Sequence, residues 1–167
     1  MAQGDAVVPV LNAWIQRALV EGWPIALTRD WHPAQHCSFQ ARGGPWPPHC
    51  VAQTPGAEFH PELALAASGQ VFSKGGDPNR EAYSGFEGFS ETGQPLAEWL
   101  RKHGVDGLYV GGLATDYCVK ATVLDALTAG FEVSVLRRGV RGVNAHPGDA
   151  EAALNQMQAQ GARFVDG

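Results

Sequence analysis

Residues 4–22 repeat an apolar residue every four positions, which places the apolar set on one face of a predicted helix. The set comprises Val7, Leu11, Ile15 and Leu19. Asp5 is a candidate N-cap for this helix, and Gly22 follows its last turn. Three later segments are also predicted to be helical, and each ends at a glycine; they are residues 95–104, 115–130 and 147–161.

Five short apolar runs predict strands. They are WPIALTRD, QVFSKG, GLYVGGLA, FEVSVL and ARFVDG. Strands that alternate with helices of this length imply right-handed crossovers and a mostly parallel sheet with helices on both faces. We therefore expect residues 1–167 to form a single domain with a doubly wound α/β fold.

Polar residues with catalytic potential gather where the predicted strands end. In open parallel sheets, ligands bind at the carboxyl ends of the strands. Asp30 and His32 follow the first run. Lys74 closes the second run, and Cys118 follows the third. The segment 33–69, rich in Pro, Gly and polar residues, interrupts the rhythm of strands and helices. Long loops inside a compact domain usually carry function.

Composition narrows the functional classes. The formal net charge of -5 argues against nucleic-acid binding, since affinity for phosphate requires concentrated Lys and Arg. The sequence shows neither an apolar run of membrane-spanning length nor the plan of a signal peptide, so no membrane partner is expected. The chain has 3 cysteines, widely spaced, so we expect free thiols in the reducing cytoplasm rather than a disulfide framework. A homo-oligomer is left open.

A metal site is the first chemical hypothesis. Asp30 and His32 are one residue apart, so in an extended segment their side chains point the same way. His49, from the PWPPHC loop, would complete a two-His, one-carboxylate set for one divalent ion, with Zn, Fe and Mn all compatible. The fourth metal ligand is left open between His36, Ser38 and water. The alternative role for His36 is to cap the loop. In the alternative interpretation of the whole set, Asp30 caps a turn and the histidines are surface groups. The third histidine favours metal binding over this alternative.

Cys118 is the second chemical hypothesis. It lies at the start of a predicted helix, directly after a strand. The N–H groups and partial positive charge of a helix N-terminus lower the pKa of a thiol and can hold an oxyanion. Lys74, at a neighbouring strand end, would favour the thiolate further. The alternative is a buried structural cysteine, which is the commoner fate of a lone cysteine, and the position between strand and helix favours a nucleophile.

Several motifs occur together and in one order: TRDWHP, WPPHCVAQTPGAEFHP, FSKG, AYSGFEG and GGLATDYCV. In these motifs the chain resembles the nicotinamidase/pyrazinamidase group of the isochorismatase-like cysteine hydrolases, from Gly4 to the C-terminus. The resemblance implies the doubly wound α/β fold of that family. It also implies a cytoplasmic enzyme of NAD salvage that holds a divalent metal and hydrolyses nicotinamide, or pyrazinamide, to the acid and ammonia.

The resemblance also implies a role for individual residues. Cys118 would be the nucleophile and Lys74 the basic member of its catalytic triad. The metal set named above would orient the pyridine nitrogen of the substrate. A cis bond between Leu113 and Ala114 would aim the Ala114 N–H into the oxyanion hole. Two aromatic residues would flank the substrate ring; they are Trp46 and Tyr83.

One departure from the family concerns the first strand. Family chains begin with a strand of the type LLVVDVQNDF, whose aspartate is the general base, whereas this sequence starts at MAQGDAVVPV. We therefore expect a domain without the family's first, central strand, and an activity that depends on replacing that aspartate. Two alternatives to the nicotinamidase hypothesis are a non-catalytic metal- or ligand-binding remnant and a hydrolase of another small amide.

Overall fold

A computed structural model of the chain describes residues 1–65, 67 and 69–166. Its strands are β1 (Ala26–Asp30), β2 (Gln70–Lys74), β3 (Gly107–Leu113), β4 (Glu132–Arg141) and β5 (Arg163–Val165). Its α-helices are α1 (Val8–Glu21), α2 (Leu96–Lys102), α3 (Lys120–Thr128) and α4 (Asp149–Ala159). These strands pair in parallel, and a helix precedes each of β3, β4 and β5, so the predicted α/β class is confirmed.

The five strands form two sheets. β1 pairs with β2, and β3, β4 and β5 form a second sheet in that order. The register of the first sheet places Asp30 opposite Lys74 at the carboxyl ends of β1 and β2. Two candidate functional residues are therefore neighbours because their strands end side by side.

The first helix agrees with its prediction except at its start. A 3-10 turn, Gly4–Val7, precedes α1, and Asp5 makes no capping hydrogen bond. The predicted N-cap is therefore wrong, because Asp5 lies inside the turn rather than at the helix boundary where free N–H groups need an acceptor. Gly22 ends the helix as expected, in the left-handed conformation with φ 69°.

The main core lies around β4. Its valines pack against the apolar faces of α2, α3 and α4, in keeping with a sheet covered by helices. The buried members include Phe72, Leu100, Val123, Val133, Val135 and Met157.

The carboxyl end of β3 turns sharply toward the cysteine. The pairing of β3 with β4 slips between Val110 and Gly112, and Gly112 has φ 124°, a conformation that requires glycine. A π-helical turn, Thr115–Val119, follows and continues into α3. The predicted helix at 115–130 is therefore present, but its first turn, which carries Cys118, is wider than an α-helical turn.

The described residues of the segment 33–69 form a loop, as predicted. Its described residues contain 3-10 turns at Gln40–Arg42 and Pro55–Ala57. The three cysteines, Cys37, Cys50 and Cys118, are free, as predicted. Within the described residues, no helix has the length and apolar character needed to cross a membrane.

Candidate active site

Asp30, His32 and His49 converge on one point. Each offers one ligand atom, and these atoms all lie within 4.8 Å of one another. The backbone explains the convergence: the N–H of His32 donates to the Cys50 carbonyl at 2.9 Å, and the N–H of Ala52 donates to the His32 carbonyl at 2.8 Å. The Pro-rich loop is thereby held alongside the end of β1, which brings His49 to the Asp-x-His pair.

The two histidines of this cluster present a free nitrogen to it. The Nδ1 atom of His32 lies 3.0 Å from the Gly75 carbonyl, and Nδ1 of His49 lies 2.9 Å from the Pro47 carbonyl. Because a carbonyl only accepts hydrogen bonds, each Nδ1 donates and each Nε2 keeps its lone pair. Burial lowers the pKa of His32, although the Gly75 hydrogen bond and Asp30 act to raise it. The lowered pKa favours the neutral form, which is the one that binds a metal. Two neutral imidazoles and one carboxylate fit a divalent metal such as zinc.

His36 lies beside this cluster but directs its nitrogens elsewhere. It is fully buried, and its Nδ1 atom lies 2.7 Å from the hydroxyl of Ser38. Its Nε2 donates to the Arg80 carbonyl at 3.0 Å. Both ring nitrogens and the Ser38 hydroxyl are therefore occupied, so neither residue is available as a fourth ligand in this arrangement. The contacts of His36 agree with its alternative role as a loop cap.

Lys74 connects the cysteine to the group of candidate metal ligands. Its Nζ atom forms an ion pair with Asp30, lies 3.4 Å from the Cys118 sulfur and donates to the Ala82 carbonyl at 2.9 Å. Burial lowers the pKa of Lys74, but its interactions with Cys118 and Asp30 outweigh burial and raise it. Lys74 is therefore a buried ammonium that donates to both neighbours.

The thiol of Cys118 does not have the lowered pKa expected from its position at a helix start. Burial raises the pKa of Cys118, and Asp30 adds to the rise, while Lys74 and a backbone hydrogen bond from Ala114 oppose it. The expectation is wrong because removing the thiolate from water outweighs the favourable contacts. Without Lys74, the thiolate would be still less accessible.

The backbone before the cysteine forms one wall of the site. The Leu113–Ala114 bond is cis, as the resemblance implies, and Ala114 is buried. The N–H groups of Tyr117 and Val119 donate to the Ala114 carbonyl at 3.1 and 3.0 Å. The carbonyl is thus turned into the helical turn, while the Ala114 backbone lowers the pKa of the Cys118 thiol.

Three aromatic rings stand together, and one of them belongs to the residue before Cys118. The indole N–H of Trp46 donates to the Tyr83 hydroxyl at 3.2 Å. Tyr117 packs against both, with ring centroids 4.9 Å from Trp46 and 5.8 Å from Tyr83. The structure therefore brings the two predicted ring-binding residues together and adds Tyr117, which the sequence reasoning missed although it adjoins Cys118.

Two more polar residues that the sequence reasoning missed brace the cysteine turn. The Asp116 carboxylate is buried and accepts the N–H groups of Val143 and Asn144 at 2.9 and 2.7 Å. The Thr122 hydroxyl donates to the Cys118 carbonyl at 2.7 Å and accepts the N–H of Gly85 at 2.8 Å. The only sequence signal for either was its place on the turn or helix that carries the cysteine.

Comparison with known proteins finds a matching family and a sequence relative. The isochorismatase domain family matches residues 1–167. The nicotinamidase of Escherichia coli (strain K12) is 42% identical over 176 residues, covering 96% of this chain and 83% of the relative.

Two solved structures are also similar. The pyrazinamidase of Pyrococcus horikoshii in complex with zinc has 47% identity and a TM-score of 0.91, covering 100% of this chain and 88% of its own. PnC1 from L. infantum in complex with nicotinate has 31% identity and a TM-score of 0.83, covering 99% and 81%.

Proposed function

Since this chain belongs to the isochorismatase domain family, we propose that it is a nicotinamidase, which hydrolyses nicotinamide, and pyrazinamide, through a thioester on Cys118. The similarity to amide hydrolases named for these substrates supports the reaction class. The similarity to a chain that binds nicotinate supports a pyridine carboxylate as the product. The proposal places the enzyme in NAD salvage.

One observation carries the proposal: Lys74 contacts both Cys118 and the Asp30 carboxylate at the edge of the metal cluster. A buried ammonium next to a half-buried thiol has a structural explanation as a satisfied ion pair with Asp30 alone. That explanation leaves three features unrelated to one another: the sulfur contact, the adjoining histidine cluster and the aromatic wall, which consists of the rings of Trp46, Tyr83 and Tyr117. A nucleophile, its cation and a ring-binding wall account for all of them together.

The chemistry assigned to the thiol is acyl transfer. The sulfur of Cys118 bonds to the amide carbon, and the carbonyl electron pair moves to the oxygen, close to the Ala114 backbone. When the carbonyl re-forms, the C–N bond breaks and the nitrogen takes up a proton and leaves as ammonia. Water then attacks the thioester carbon, and nicotinate and the free thiol are released.

The leaving nitrogen takes up the proton that the thiol loses. Lys74 remains an ammonium, because its pKa is raised, so it stabilises the thiolate rather than accepting the proton. Asp30 is the carboxylate that contacts Lys74. The family resemblance assigns the general base to an aspartate of the family's first strand.

The metal set would hold the aromatic substrate in register. We propose that Asp30, His32 and His49 bind zinc, with water completing the shell. When bound, the ion supplies a coordination point for the pyridine nitrogen. The rings of Trp46, Tyr83 and Tyr117 would contact the face and edges of the substrate ring and exclude water from it.

Product analysis tests the proposal. The zinc-loaded protein is incubated with nicotinamide, and nicotinate and ammonia are quantified separately. Equal amounts of both products, absent with Cys118→Ala and retained with Cys37→Ala, are expected. Nicotinamide that binds without any conversion would instead identify the chain as the non-catalytic remnant.

A further inference from the structure

Thr122 joins the cysteine turn to a segment that is distant in the sequence. Its hydroxyl donates to the Cys118 carbonyl at 2.7 Å and accepts the N–H of Gly85 at 2.8 Å. A threonine in a helix commonly bonds the carbonyl four residues earlier, so the first bond by itself is ordinary. The second bond spans 37 positions and leaves the helix. It therefore fixes the distance between α3 and the segment that contains Gly85.

The N–H of Gly85 points outward because the rest of its turn is bonded internally. Gly85 begins a short 3-10 turn, and the first N–H groups of a helical turn have no partner within it. The N–H of Phe86 donates to the Ser84 hydroxyl at 3.1 Å, and that of Glu87 donates to the Ser84 carbonyl at 3.0 Å. Gly85 is buried, so Thr122 is the acceptor that keeps a buried N–H group paired.

The backbone at Gly85 lies directly against α3. A Cβ atom at this position would stand 3.4 Å from both Cγ2 and Oγ1 of Thr122, and 3.1 Å from Cγ2 of Thr28. Contacts this short require the neighbouring atoms to move by a few tenths of an ångström. Any residue larger than glycine would therefore push the segment away from the helix.

The same segment supplies an acceptor to Lys74. Ala82, three residues before Gly85, accepts a hydrogen bond from Nζ of Lys74 at 2.9 Å. An ammonium has three N–H donors. Asp30 and Ala82 take two of them, and the sulfur of Cys118 lies 3.4 Å from Nζ, where it receives the third. The position of Ala82 therefore sets the direction of the donor that reaches the thiol.

These contacts close a ring that runs from the cysteine turn through Thr122, the segment 82–85 and Lys74 back to the sulfur. We propose that Thr122 is a positioning residue for the nucleophile, because its hydroxyl holds the segment 82–85 where Lys74 donates to Cys118. The role rests on the proposed function, in which Cys118 attacks the amide. If the hydroxyl only stabilised α3, its loss would lower stability and leave the reactivity of the thiol unchanged.

The test compares variants of the zinc-loaded full chain. Thr122→Val keeps the shape of the side chain and removes the hydroxyl, and Thr122→Ser returns the hydroxyl. Gly85→Ala disturbs the same contact from the other side. Thr128→Val is the matched control, because it makes the same substitution at an exposed position of α3. Circular dichroism checks that each variant is folded, and Gly85→Ala decides the outcome if Thr122→Val is not.

Alkylation of Cys118 by iodoacetamide at one mildly alkaline pH is the first readout, with the rate at Cys37 as the internal reference. We expect Thr122→Val to slow it by about 3–10-fold, since the thiolate loses an aligned donor, and Gly85→Ala to slow it as well. Thr122→Ser and Thr128→Val should keep the parent rate. Parent or faster rates in both Thr122→Val and Gly85→Ala would overturn the proposal.

Turnover of nicotinamide is the second readout. We expect Thr122→Val to lower kcat by about 10–100-fold and to change KM by less than about threefold, because a misplaced nucleophile affects reaction more than binding. Thr122→Ser should recover most of the kcat. Equal losses in the valine and serine variants, or a change confined to KM, would overturn the proposal. A parent chain without turnover would contradict the proposed function instead, and the alkylation rates would then decide the role of Thr122.

Discussion

The imidazole ring of His32 lies directly against the backbone of Gly75. A Cβ atom at Gly75 would stand 2.5 Å from Nδ1 of His32. This is closer than a Cβ atom normally comes to a heavy atom of another residue. Gly75 also has φ 69°, and its carbonyl accepts the Nδ1–H bond that keeps Nε2 free for a metal. One glycine therefore sets both the position and the tautomer of a candidate metal ligand.

Gly75→Ala should weaken metal binding about 10–100-fold, the range typical when a group that orients a ligand is lost. Competition with a chromophoric chelator for zinc measures the effect. Gly76→Ala is the matched control, because a Cβ there meets nothing within 4 Å. Equal zinc affinity for the two variants would show that His32 does not depend on this contact.

Lys74→Met should raise the pKa of Cys118. Lys74 lowers that pKa against the effect of burial, so its removal leaves burial and Asp30 opposed only by the Ala114 backbone. The thiolate is the reactive form, so the alkylation profile of Cys118 should move to higher pH. Iodoacetamide rates mapped to Cys118 between neutral and alkaline pH measure the shift, with Lys102→Met, on the exposed face of α2, as the control. An unchanged profile would remove Lys74 from this role.

The strands and most helices followed from the sequence because apolar periodicity and terminal glycines are local signals. The position of Asp30 beside Lys74 also followed, since the ends of parallel strands share one edge. The pKa of Cys118 did not, because burial depends on the packing of residues far apart in the chain. His36 shows the same limit, since its partner Arg80 lies 44 positions away.

Trp46→Ala should weaken nicotinamide binding by roughly 2–10-fold, from the loss of about 0.5–1.5 kcal/mol of aromatic contact. Acetamide, which lacks a ring, should bind equally to the parent and the variant. Tyr83→Phe is the control, because it keeps the ring and removes only the hydroxyl that Trp46 contacts. Isothermal titration of each amide provides the comparison, and a parallel loss of affinity for both amides would contradict the aromatic-wall assignment.

Asp116→Asn should lower the free energy of unfolding by about 1–3 kcal/mol. An amide has one acceptor oxygen, so one of the two N–H groups now bound by the carboxylate, at Val143 and Asn144, would lose its partner. Urea denaturation at neutral pH measures the change. Asp125→Asn, at an exposed position on α3, should shift stability by no more than about 0.5 kcal/mol. Similar values for the two variants would show that Asp116 does not brace the cysteine turn.

The central claim is that Cys118 attacks the amide carbon. Its most direct test is peptide-mapped mass spectrometry of an acid-quenched reaction of the zinc-loaded protein with nicotinamide, with the turnover of Cys118→Ala measured in parallel. We predict a nicotinoyl group on the peptide that contains Cys118, none on Cys37 or Cys50, and no nicotinate from the alanine variant. Nicotinate formed by Cys118→Ala at the rate of the parent chain, or a nicotinoyl group found on Cys50, would contradict the claim.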